Sequence, residues 1–512
     1  MRLSELRAVL QTYMAVSAPP TSDPTILHLT DDHRNVTAGS LFVAVSGTRF
    51  DGHSFIAEAL SRGAVAVIGE HAPDALGTSP YLIVSNGRLA LALAAAAING
   101  MPSRHLRMIG VTGTDGKTTT TTLIRSLLTA AGYTAGMVTT LGATIGDHHL
   151  ETAVHTTTPG APELQAYLAQ IVAAQGTHAV IETTSHALAQ QRVVGCSFDV
   201  AVITNITHEH LDYHGTFAQY RDTKAELFRS LRNDPLVKLD VPKVAVLNRA
   251  DPAYEMLREL VADQQLSYGL SNEADVYATD IVYTPTGTHF VCHTPVGAFP
   301  LSLVLPGAHN VANALAASAV GVALQVPATA IQQGLAAVQQ ITARMTRVAQ
   351  GQPFEVYVDY AHTPNALTQI LTFARQLTQG RVILVFGLSG GPRDRSKRPL
   401  MGRIAGQMAD QLVITSVDWY DEHVDAITHQ IATGCAEVGR HEGTDYWRVL
   451  DRRAGISTGI ALAAPGDVVI IAGKGHERVI TYGYVDQPWD EFAAVRDGIA
   501  QWLAQHDHTA ER

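Results

Sequence analysis

Short apolar runs alternate with amphipathic segments along most of this chain. Runs of about four to eight apolar residues separated by helical patterns are typical of a mostly parallel sheet covered by helices. The clearest runs are residues 41–45, 64–68, 81–84, 108–112, 178–181, 200–203, 243–247, 355–358, 382–386, 411–415 and 467–471. The pattern therefore predicts an α/β fold.

A glycine-rich loop follows the apolar run at 108–112 and precedes a segment with an apolar helical stripe. It reads Gly113-Thr114-Asp115-Gly116-Lys117-Thr118. Glycines let backbone N–H groups approach anionic oxygens, and the N-terminus of the next helix adds its dipole. The lysine can reach terminal phosphates, and the threonine hydroxyl can ligate Mg²⁺. Although Val111 stands where the generic pattern has a glycine, the context predicts a phosphate-binding loop.

The length of the chain and the interruptions in its alternating pattern predict three domains. A chain of 512 residues is long enough for about three. Met101-Pro102-Ser103 interrupts the first alternation, and a new one begins near Ala343. We therefore predict a small α/β N-terminal domain at 1–104, a central P-loop mononucleotide-binding domain at 105–342 and a Rossmann-like C-terminal domain at 343–512. Residues 274–305, rich in Thr, Val and Tyr, are predicted to form hairpins, and the alanine-rich run 89–98 a packed helix.

Composition narrows the class of protein. Hydrophobic residues make up 46% of the chain, which argues against wholesale disorder. A net charge of −11 without a Lys/Arg run argues against a nucleic-acid partner. Three scattered cysteines fit a reducing cytoplasm. Because the N-terminus does not read as a signal peptide and no apolar run could span a bilayer, we expect a soluble, monomeric, cytoplasmic protein without membrane insertion.

Acidic, hydroxyl and imidazole side chains cluster after two predicted central strands. Residues 179–187 read AVIETTSHA, and residues 204–215 read TNITHEHLDYHG. An acid at a strand end beside a phosphate loop is where a further magnesium ligand belongs, and Glu182 fits. His210 is a candidate on spacing, although Mg²⁺ prefers oxygen and ordinary polar loop chemistry is the alternative for a single histidine.

Taken in order, these stretches resemble the Mur ligase family, most closely its MurE-type branch, which acts in peptidoglycan synthesis. The resemblance covers nearly the whole chain. It rests on DGH from Asp51, TGTDGKTTT from Thr112, HTTTPGAPELQAYL from His155, ETTSHALAQQRV from Glu182, TNITHEHLDYHG from Thr204, KAELF from Lys224, PGAHNVANALAA from Pro306, ARMTRV from Ala343, VDYAHTPNAL from Val358, RDRSKRPLMG from Arg393, Asp451-Arg452 and AGKGHE from Ala472. It implies an ATP- and Mg²⁺-dependent carboxylate–amine ligase whose small-molecule substrates are ATP, a UDP-N-acetylmuramoyl dipeptide and an amino acid.

The resemblance also implies roles for individual residues. The implied ATP-binding residues are Thr112, Gly113, Thr114, Asp115, Gly116, Lys117, Thr118, Thr119, Asn248, Asp251, Asn310, Arg344 and Asp359. The implied metal ligands are Thr118, Glu182, His210 and Lys224, and the implied catalytic residues are Lys117, Arg192, His210, Lys224 and His362. Lys224 matches the lysine that the family carries as a carbamate, which would turn a cationic group into an anionic oxygen ligand. In the nucleotide-contacting stretches two positions depart from the family: Ala250 replaces an Asp, and His309 replaces a Phe.

The resemblance also implies which residues bind the sugar-nucleotide substrate. The implied binding residues are Arg34, Thr157, Thr158, Thr184, Gln190, Arg192 and Lys224. Thr184 replaces the usual Ser but keeps its hydroxyl, whereas His33, which replaces a Ser, puts one uridine-side hydrogen bond in doubt. Arg192 suits a carboxylate or phosphate because its guanidinium presents paired donors.

The implied amino-acid-binding residues include the main departure from the family. They are Arg393, Asp418, Tyr420, Asp421, Gly473 and Glu477. Diaminopimelate-adding members carry an arginine that grips the distal carboxylate of the substrate, and Tyr420 stands in its place. A phenol cannot make that two-pronged charged contact. We therefore expect a diamino acid such as lysine or ornithine, whose ammonium Asp418, Asp421 and Glu422 could attract, although a solvated acidic loop remains an equal interpretation.

The resemblance implies that ATP phosphorylates the D-Glu carboxylate and that an amine then displaces phosphate. The alternatives are the same reaction with meso-diaminopimelate, a folylpolyglutamate-synthase-like enzyme, or a non-catalytic homologue; nothing in the sequence supports a P-loop switch. Because the ATP-handling residues are split between two domains, turnover is expected to require the third domain to swing in.

Overall fold

The computed structural model describes residues 1–18, 22–47, 50–71, 79–151, 156–238, 240–284, 287–305, 307–391 and 393–506. His155 and Pro306, which begin two of the family-like segments, lie outside these residues. Within the described ranges, the strands form three large sheets and one two-stranded sheet. The predicted α/β class is confirmed.

The N-terminal sheet is parallel throughout, in the order β1-β2-β3-β4. Its elements are α1 (Leu3–Gln11), β1 (His28–Thr30), β2 (Ser40–Val43), α2 (Ile56–Ser61), β3 (Ala64–Gly69), β4 (Tyr81–Ile83) and α3 (Gly87–Ile98). Helices α1 and α3 cover one face, and α2 covers the other. The predicted alanine-rich helix is α3, and its Ala92 and Ala95 pack against Ala161 of the central domain. Small side chains let these two helices approach closely.

The central sheet has parallel strands in its middle and antiparallel strands at both edges. Its order is β15-β14-β13-β12-β11-β10-β5-β9-β6-β7-β8. The strands are β5 (Arg107–Thr112), β6 (Ala135–Thr139), β7 (Gly142–Ile145), β8 (His148–Leu150), β9 (His178–Glu182), β10 (Val200–Ile203), β11 (Val244–Asn248), β12 (Gln264–Gly269), β13 (Val276–Thr284), β14 (Gly287–Thr294) and β15 (Gly297–Leu303). The last three are antiparallel neighbours, as the composition of 274–305 predicts.

Helices cover both faces of the central sheet. They are α4 (Lys117–Ala130), α5 (Ala161–Ala173), α6 (Ser185–Ala189), α7 (Leu211–His214), α8 (Phe217–Asn233), α9 (Tyr254–Leu257), α10 (Ala308–Ala323) and α11 (Ala328–Ala337). One core lies beneath α4, α10 and α11, and the other beneath α5, α6 and α8.

The C-terminal sheet has the order β16-β17-β21-β18-β19-β20, parallel except for its first strand. Its elements are β16 (Thr346–Arg347), β17 (Glu355–Asp359), α12 (Pro364–Leu377), β18 (Val382–Phe386), α13 (Lys397–Met408), β19 (Gln411–Thr415), α14 (Val424–Glu437), β20 (Tyr446–Val449), α15 (Arg452–Ala461), β21 (Val468–Ala472), and α16 (Glu491–His506). A hairpin of β22 (Val479–Tyr482) and β23 (Val485–Pro488) precedes α16. Helices α12–α14 cover one face, and α15 and α16 the other.

The carboxyl ends of the strands position the site. Ligands of doubly wound sheets bind there, because loops and helix N-termini converge at that edge. Here the carboxyl ends of central and C-terminal strands border the same cavity. The predicted boundaries at 104/105 and 342/343 fall between sheets but stay predictions.

Among the described helices, none is long and apolar enough to cross a membrane.

Candidate active site

A cavity of about 1100 Å³ lies between the central and C-terminal domains. The predicted site residues that line it are Gly113, Thr114, Asp115, Gly116, Lys117, Thr118, Thr119, Thr157, Glu182, Thr184, Arg192, His210, Lys224, Asn248, Asp251, Asn310, Arg344, Asp359, His362, Arg393, Asp418, Tyr420, Gly473 and Glu477. The predicted residues that do not line it are Arg34, Thr112, Thr158, Gln190 and Asp421. This geometry brings most of the predicted residues together, and their individual roles stay predictions.

The two glycines of the phosphate loop are required by close packing. Gly113 has a φ of 147°, and a Cβ there would lie 1.8 Å from Thr204 Oγ1. Gly116 is the N-cap of α4 and has a φ of 80°, and a Cβ there would lie 2.4 Å from Asn313 Oδ1. Both positions exclude other residues, since a side chain would be strained and would clash. Helix α4 therefore begins directly at the cavity, with Lys117 as its first residue.

The loop after β10 holds the phosphate loop in place. Asn205 accepts the Asp115 amide through Oδ1 at 3.0 Å, and its carbonyl accepts the Thr114 amide at 2.7 Å. Thr204 Oγ1 donates to the Asp115 carbonyl at 2.6 Å. These bonds hold the phosphate loop against the loop that follows β10.

A hydroxyl and a carboxylate meet on the wall next to Lys117. Thr118 Oγ1 donates to Glu182 Oε2 at 2.9 Å, and both side chains are buried. The Thr140 amide donates to the same carboxylate oxygen at 3.2 Å. Hydroxyl and carboxylate oxygens are the donors Mg²⁺ prefers, so this pair fits a magnesium ion.

Lys224 is the buried amine of this region, with 1% of its surface exposed. Its Nζ donates to the Gly113 carbonyl at 2.7 Å and lies 4.5 Å from the centre of the Tyr220 ring. Burial lowers the pKa of Lys224 well below its usual range, and nearby Lys117 lowers it further. The neutral amine, which is the form that reacts with CO₂, is thereby favoured.

Two predicted histidines are held as neutral imidazoles. His210 has a left-handed φ of 56°, and burial lowers its pKa well below the usual range, with His186 adding to the effect. Burial lowers the pKa of His362 to about 3, and Lys397 acts in the same direction. His362 Nδ1 lies 2.8 Å from the Tyr360 carbonyl, which can only accept. Nδ1 therefore carries the proton, and Nε2 is left as an acceptor.

Arg344 reaches from the C-terminal domain to the phosphate loop. Its Nη2 donates to Thr118 Oγ1 at 3.0 Å. The flanking Ala343 and Met345 have φ values of 56° and 48°, which non-glycine residues rarely adopt. Asp359 holds this turn by accepting the Met345 amide at 2.7 Å, and it also accepts the Ala361 amide at 2.7 Å. With both oxygens used this way, Asp359 orients Arg344.

Asp115 is a second bridge between the domains. Its Oδ1 accepts from Thr363 Oγ1 at 3.0 Å, and its Oδ2 accepts from Asn365 Nδ2 at 2.8 Å. Further along the interface, Lys397 Nζ lies 2.8 Å from Glu209 Oε1. The structure is therefore a closed arrangement, with the C-terminal domain seated on the phosphate loop.

The predicted sugar-nucleotide residues are divided between the cavity and its surroundings. Arg192 donates to the Thr158 carbonyl at 2.8 Å and to Gln190 Oε1 at 2.6 and 3.0 Å. Gln190 and Thr158 thus orient the guanidinium. Arg34 lies in the N-terminal domain, where its exposed side chain pairs with Asp32 at 2.6 Å.

A buried ion-pair cluster forms the amino-acid end of the cavity. Lys474 Nζ donates to both oxygens of Asp418 at 2.9 Å and to Glu477 Oε2 at 2.5 Å. The Tyr360 hydroxyl donates to Glu477 Oε1 at 3.0 Å, and the Thr481 amide donates to Asp418 Oδ1 at 2.7 Å. Because one ammonium faces two carboxylates, the cluster carries a formal charge of minus one.

The other members of the predicted acidic loop lie differently. Tyr420 lines the cavity in a left-handed conformation with a φ of 53°. Glu422 is held by the buried Arg398 at 2.8 and 2.9 Å, and Asp421 is exposed. Asp418 and Glu422 are thus already paired with cations, and the solvated-loop interpretation describes Asp421.

Several residues of this site were missed by reasoning from the sequence. They are Asn205, Thr140, Thr363, Asn365, Lys397 and Lys474. All but Thr140 lie inside the motifs that carry the family resemblance, so the motifs marked the segments but not the partners.

A phosphate loop with a hydroxyl–carboxylate pair and a cation from a second domain is the arrangement that phosphoryl transfer from a nucleotide requires. Family models for the "Mur ligase family, catalytic domain", the "Mur ligase middle domain" and the "Mur ligase, glutamate ligase domain" match residues 26–108, 111–321 and 343–475. The chain belongs to the Mur ligase family, as its motifs predict, and is an ATP-dependent ligase.

Similar proteins carry two names. A UDP-N-acetylmuramyl-tripeptide synthetase of Roseiflexus sp. (strain RS-1) is 44% identical over 98% of this chain and 99% of its own length. A UDP-N-acetylmuramoyl-L-alanyl-D-glutamate–2,6-diaminopimelate ligase of Bacillus licheniformis is 38% identical over 98% and 100%. A solved structure of a ligase with the latter name is 30% identical, with a TM-score of 0.62 over 94% of this chain and 95% of its own.

Proposed function

We propose that this ligase adds a diamino acid of the lysine or ornithine type to the D-Glu carboxylate of UDP-N-acetylmuramoyl-L-Ala-D-Glu, as a cytoplasmic step in peptidoglycan precursor synthesis. The observation that carries this proposal is the cavity itself. It joins the phosphate loop, the Thr118–Glu182 pair and Arg192 at one end to the Lys474 cluster at the other.

The first step joins two anions. A D-Glu carboxylate oxygen attacks the terminal phosphorus of ATP, ADP leaves, and an acyl phosphate forms. Lys117, Arg344 and Arg192 line the cavity where these negative charges meet. Fixed cations in a site that excludes water stabilise such a transition state strongly.

The residues that would hold Mg²⁺ in this proposal are Thr118 and Glu182, with His210 and a carbamoylated Lys224. When bound, the ion would neutralise phosphate charge. The lowered pKa of Lys224 supports the carbamate, because CO₂ adds only to a neutral amine.

The second step forms the amide. The neutral amine of the amino acid attacks the acyl carbon, and inorganic phosphate leaves with the C–O bond electrons. The attacking nitrogen loses one proton to solvent or to a neighbouring base. Arg393 and Glu477 lie at the end of the cavity from which this amine would enter.

Charge supports a substrate with a second ammonium group. Among the described residues that line the amino-acid end, Arg393 and Lys474 are cations, whereas Asp418, Glu477 and Asp486 are carboxylates. A distal ammonium would offset this negative excess, and a distal carboxylate would add to it. Tyr420 offers a distal carboxylate no charged fork.

The test is ADP release with the UDP-muramoyl dipeptide and lysine, ornithine, meso- or LL-diaminopimelate. We expect turnover with lysine or ornithine and none without the dipeptide. A clear preference for meso-diaminopimelate would instead support the second candidate, which the name of the Bacillus licheniformis relative favours. Release of ADP with a folate substrate, or none with any amino acid, would contradict both.

The carbamate has its own test. The enzyme is equilibrated with ¹³C-labelled bicarbonate, and a carbamate carbon signal is expected that is absent from Lys224→Arg, whose group stays protonated. Lys243→Arg is the matched control, because Lys243 is also buried but forms an ion pair with Asp199 at 2.7 Å. A signal that survives Lys224→Arg would assign the carbamate elsewhere.

A further inference from the structure

An ion pair with no exposed surface lies beneath the amino-acid end of the cavity. Arg452 begins α15, and Glu491 begins α16. Both side chains are 0% exposed. Arg452 Nε donates to Glu491 Oε2 at 2.9 Å, and its Nη2 donates to Glu491 Oε1. Trp489 Nε1 donates to the same carboxylate at 2.8 Å, so the pair is fixed from two sides.

The remaining donors of Arg452 connect two strand ends. Nη1 donates to the Ser416 carbonyl at 3.1 Å, and Nη2 donates to the Ala472 carbonyl at 3.0 Å. Ser416 directly follows β19, and Ala472 ends β21. These strands are not neighbours, because β18 lies between them. One guanidinium therefore sets the distance between two loops that the sheet itself does not join.

Those two loops carry the amino-acid end of the cavity. Asp418 and Tyr420 follow Ser416, and Lys474 and Glu477 follow Ala472. The bond between Lys474 and Asp418 joins the same loops one layer closer to the cavity. Arg452 is thus the lower of two cross-links, and it does not line the cavity.

Stability alone does not account for this arrangement. Burying a guanidinium costs desolvation, and a positive charge at a helix N-terminus opposes the helix dipole. Apolar residues of similar volume often fill such positions with equal or greater stability. What an apolar side chain cannot do is hold two carbonyl groups at a fixed separation.

We propose that Arg452, held by Glu491, is a positioning residue that sets the width of the amino-acid pocket and hence the affinity and selectivity for the incoming amino acid. The identity of the substrate rests on the proposed function, but the positioning role does not. Arg452 acts through the loops and touches no substrate.

The test compares Arg452→Lys, which keeps the charge but not the fork, with wild type. KM for whichever amino acid the wild type uses should rise roughly tenfold to a hundredfold. KM for ATP and for the dipeptide should stay within about twofold. Hydrogen exchange in residues 417–422 and 473–477 should rise together, while residues 355–359 stay protected. Glu491→Gln, which keeps side-chain volume, should show the same pattern more weakly.

Arg381→Lys is the control, since it changes another paired arginine of the same domain, although one with 42% of its side chain exposed. Arg381 pairs with Asp467 at 2.7 Å and donates to the Leu462 carbonyl at 2.8 Å, at the amino ends of β18 and β21 and so at the far end of these strands from the cavity. It should change none of the three KM values. Equal rises in all three KM values for Arg452→Lys, an unchanged amino-acid KM, or exchange that increases throughout the domain would overturn the proposal. If the wild type ligates no amino acid, the proposed function fails, and the exchange comparison still decides the role of Arg452.

Discussion

The two ends of the cavity are held together by different kinds of interaction. At the phosphate end, backbone groups and neutral side chains of the central domain, such as Asn205 and Thr204, fix the glycine loop. At the amino-acid end, Lys474, Asp418 and Glu477 fix one another through charge. Neutral hydrogen-bonding groups therefore fix the first end, whereas paired charges fix the second.

This difference also separates affinity from selectivity. A phosphate is bound through amide groups that every sequence possesses, so only the glycines and a few partners are restricted. An amino-acid side chain is distinguished by specific charges, so under the proposed function the replacement of an arginine by Tyr420 is expected to alter the choice of amino acid. The comparison leads to four predictions, in order of decreasing effect.

Lys117→Ala should abolish the activity that depends on the phosphate end of the cavity. Because Lys117 is the cation nearest the expected terminal phosphates, we expect amide formation to fall on the order of a thousandfold or more. Among the described residues its Nζ donates only to the Thr114 carbonyl, so the melting temperature should stay close to that of wild type. Near-normal turnover, or an unfolded variant, would count against the assignment.

Asn365→Ala should weaken ATP binding without disturbing the amino-acid end. It removes one of two hydrogen bonds that cross from the C-terminal domain to Asp115. A hydrogen bond to a charged group contributes about 1.5–3 kcal/mol, so KM for ATP should rise roughly tenfold to a hundredfold. Asn365→Asp should raise it further, because two carboxylates then face each other. An ATP KM equal to wild type in both variants would show that this contact plays no part in closure.

Tyr420→Arg should change the substrate preference at the amino-acid end of the cavity. A guanidinium could grip a distal carboxylate, so the ratio of kcat/KM for meso-diaminopimelate to that for lysine should rise about tenfold. Tyr420→Phe is the control and should leave the ratio unchanged. If the arginine variant does not shift the ratio, position 420 does not select the amino acid.

Acid should lower the free energy of unfolding of the protein, because histidines that line the cavity are held neutral in the folded state. Burial lowers the pKa of His186 to about 4 and that of His362 to about 3. Unfolded histidine has a pKa of about 6.5, so below that pH the unfolded chain binds protons that the folded chain does not. The free energy of unfolding should fall from pH 6.5 towards pH 4, by about 1.4 kcal/mol per pH unit for each proton taken up. His186→Gln should reduce that slope; an unchanged slope would contradict the shift.

Much of the fold could be predicted because its signals are local. The runs at 200–203, 382–386 and 411–415 became β10, β18 and β19 with the predicted bounds. Apolar residues bounded by polar turns specify such strands without reference to the rest of the chain. Short edge strands such as β1 and β16 carry too few residues for a pattern, and pairing to a neighbour defines them.

In the candidate site, the phosphate end was predicted better than the amino-acid end. Lys117, Thr118 and Glu182 lie where their motifs place them, beside one another at adjacent strand ends. The sequence leaves two interpretations of Asp418, attraction of a substrate ammonium or a solvated loop, but the structure pairs it with Lys474, which lies 56 residues away in the sequence. Reasoning from the sequence could not find that pair, because nothing in either segment states which cation will be nearest.

By itself, the sequence determined the family, the parallel architecture and the phosphate loop, since each depends on a continuous segment and its backbone conformation. Only the tertiary structure decided which charges cancel at the amino-acid end, how Arg344 and Asn365 reach the phosphate loop, and that Arg452 joins two separated strands. Those contacts bring together residues far apart in the chain, and a Coulombic or hydrogen-bonding partner is defined by distance in space.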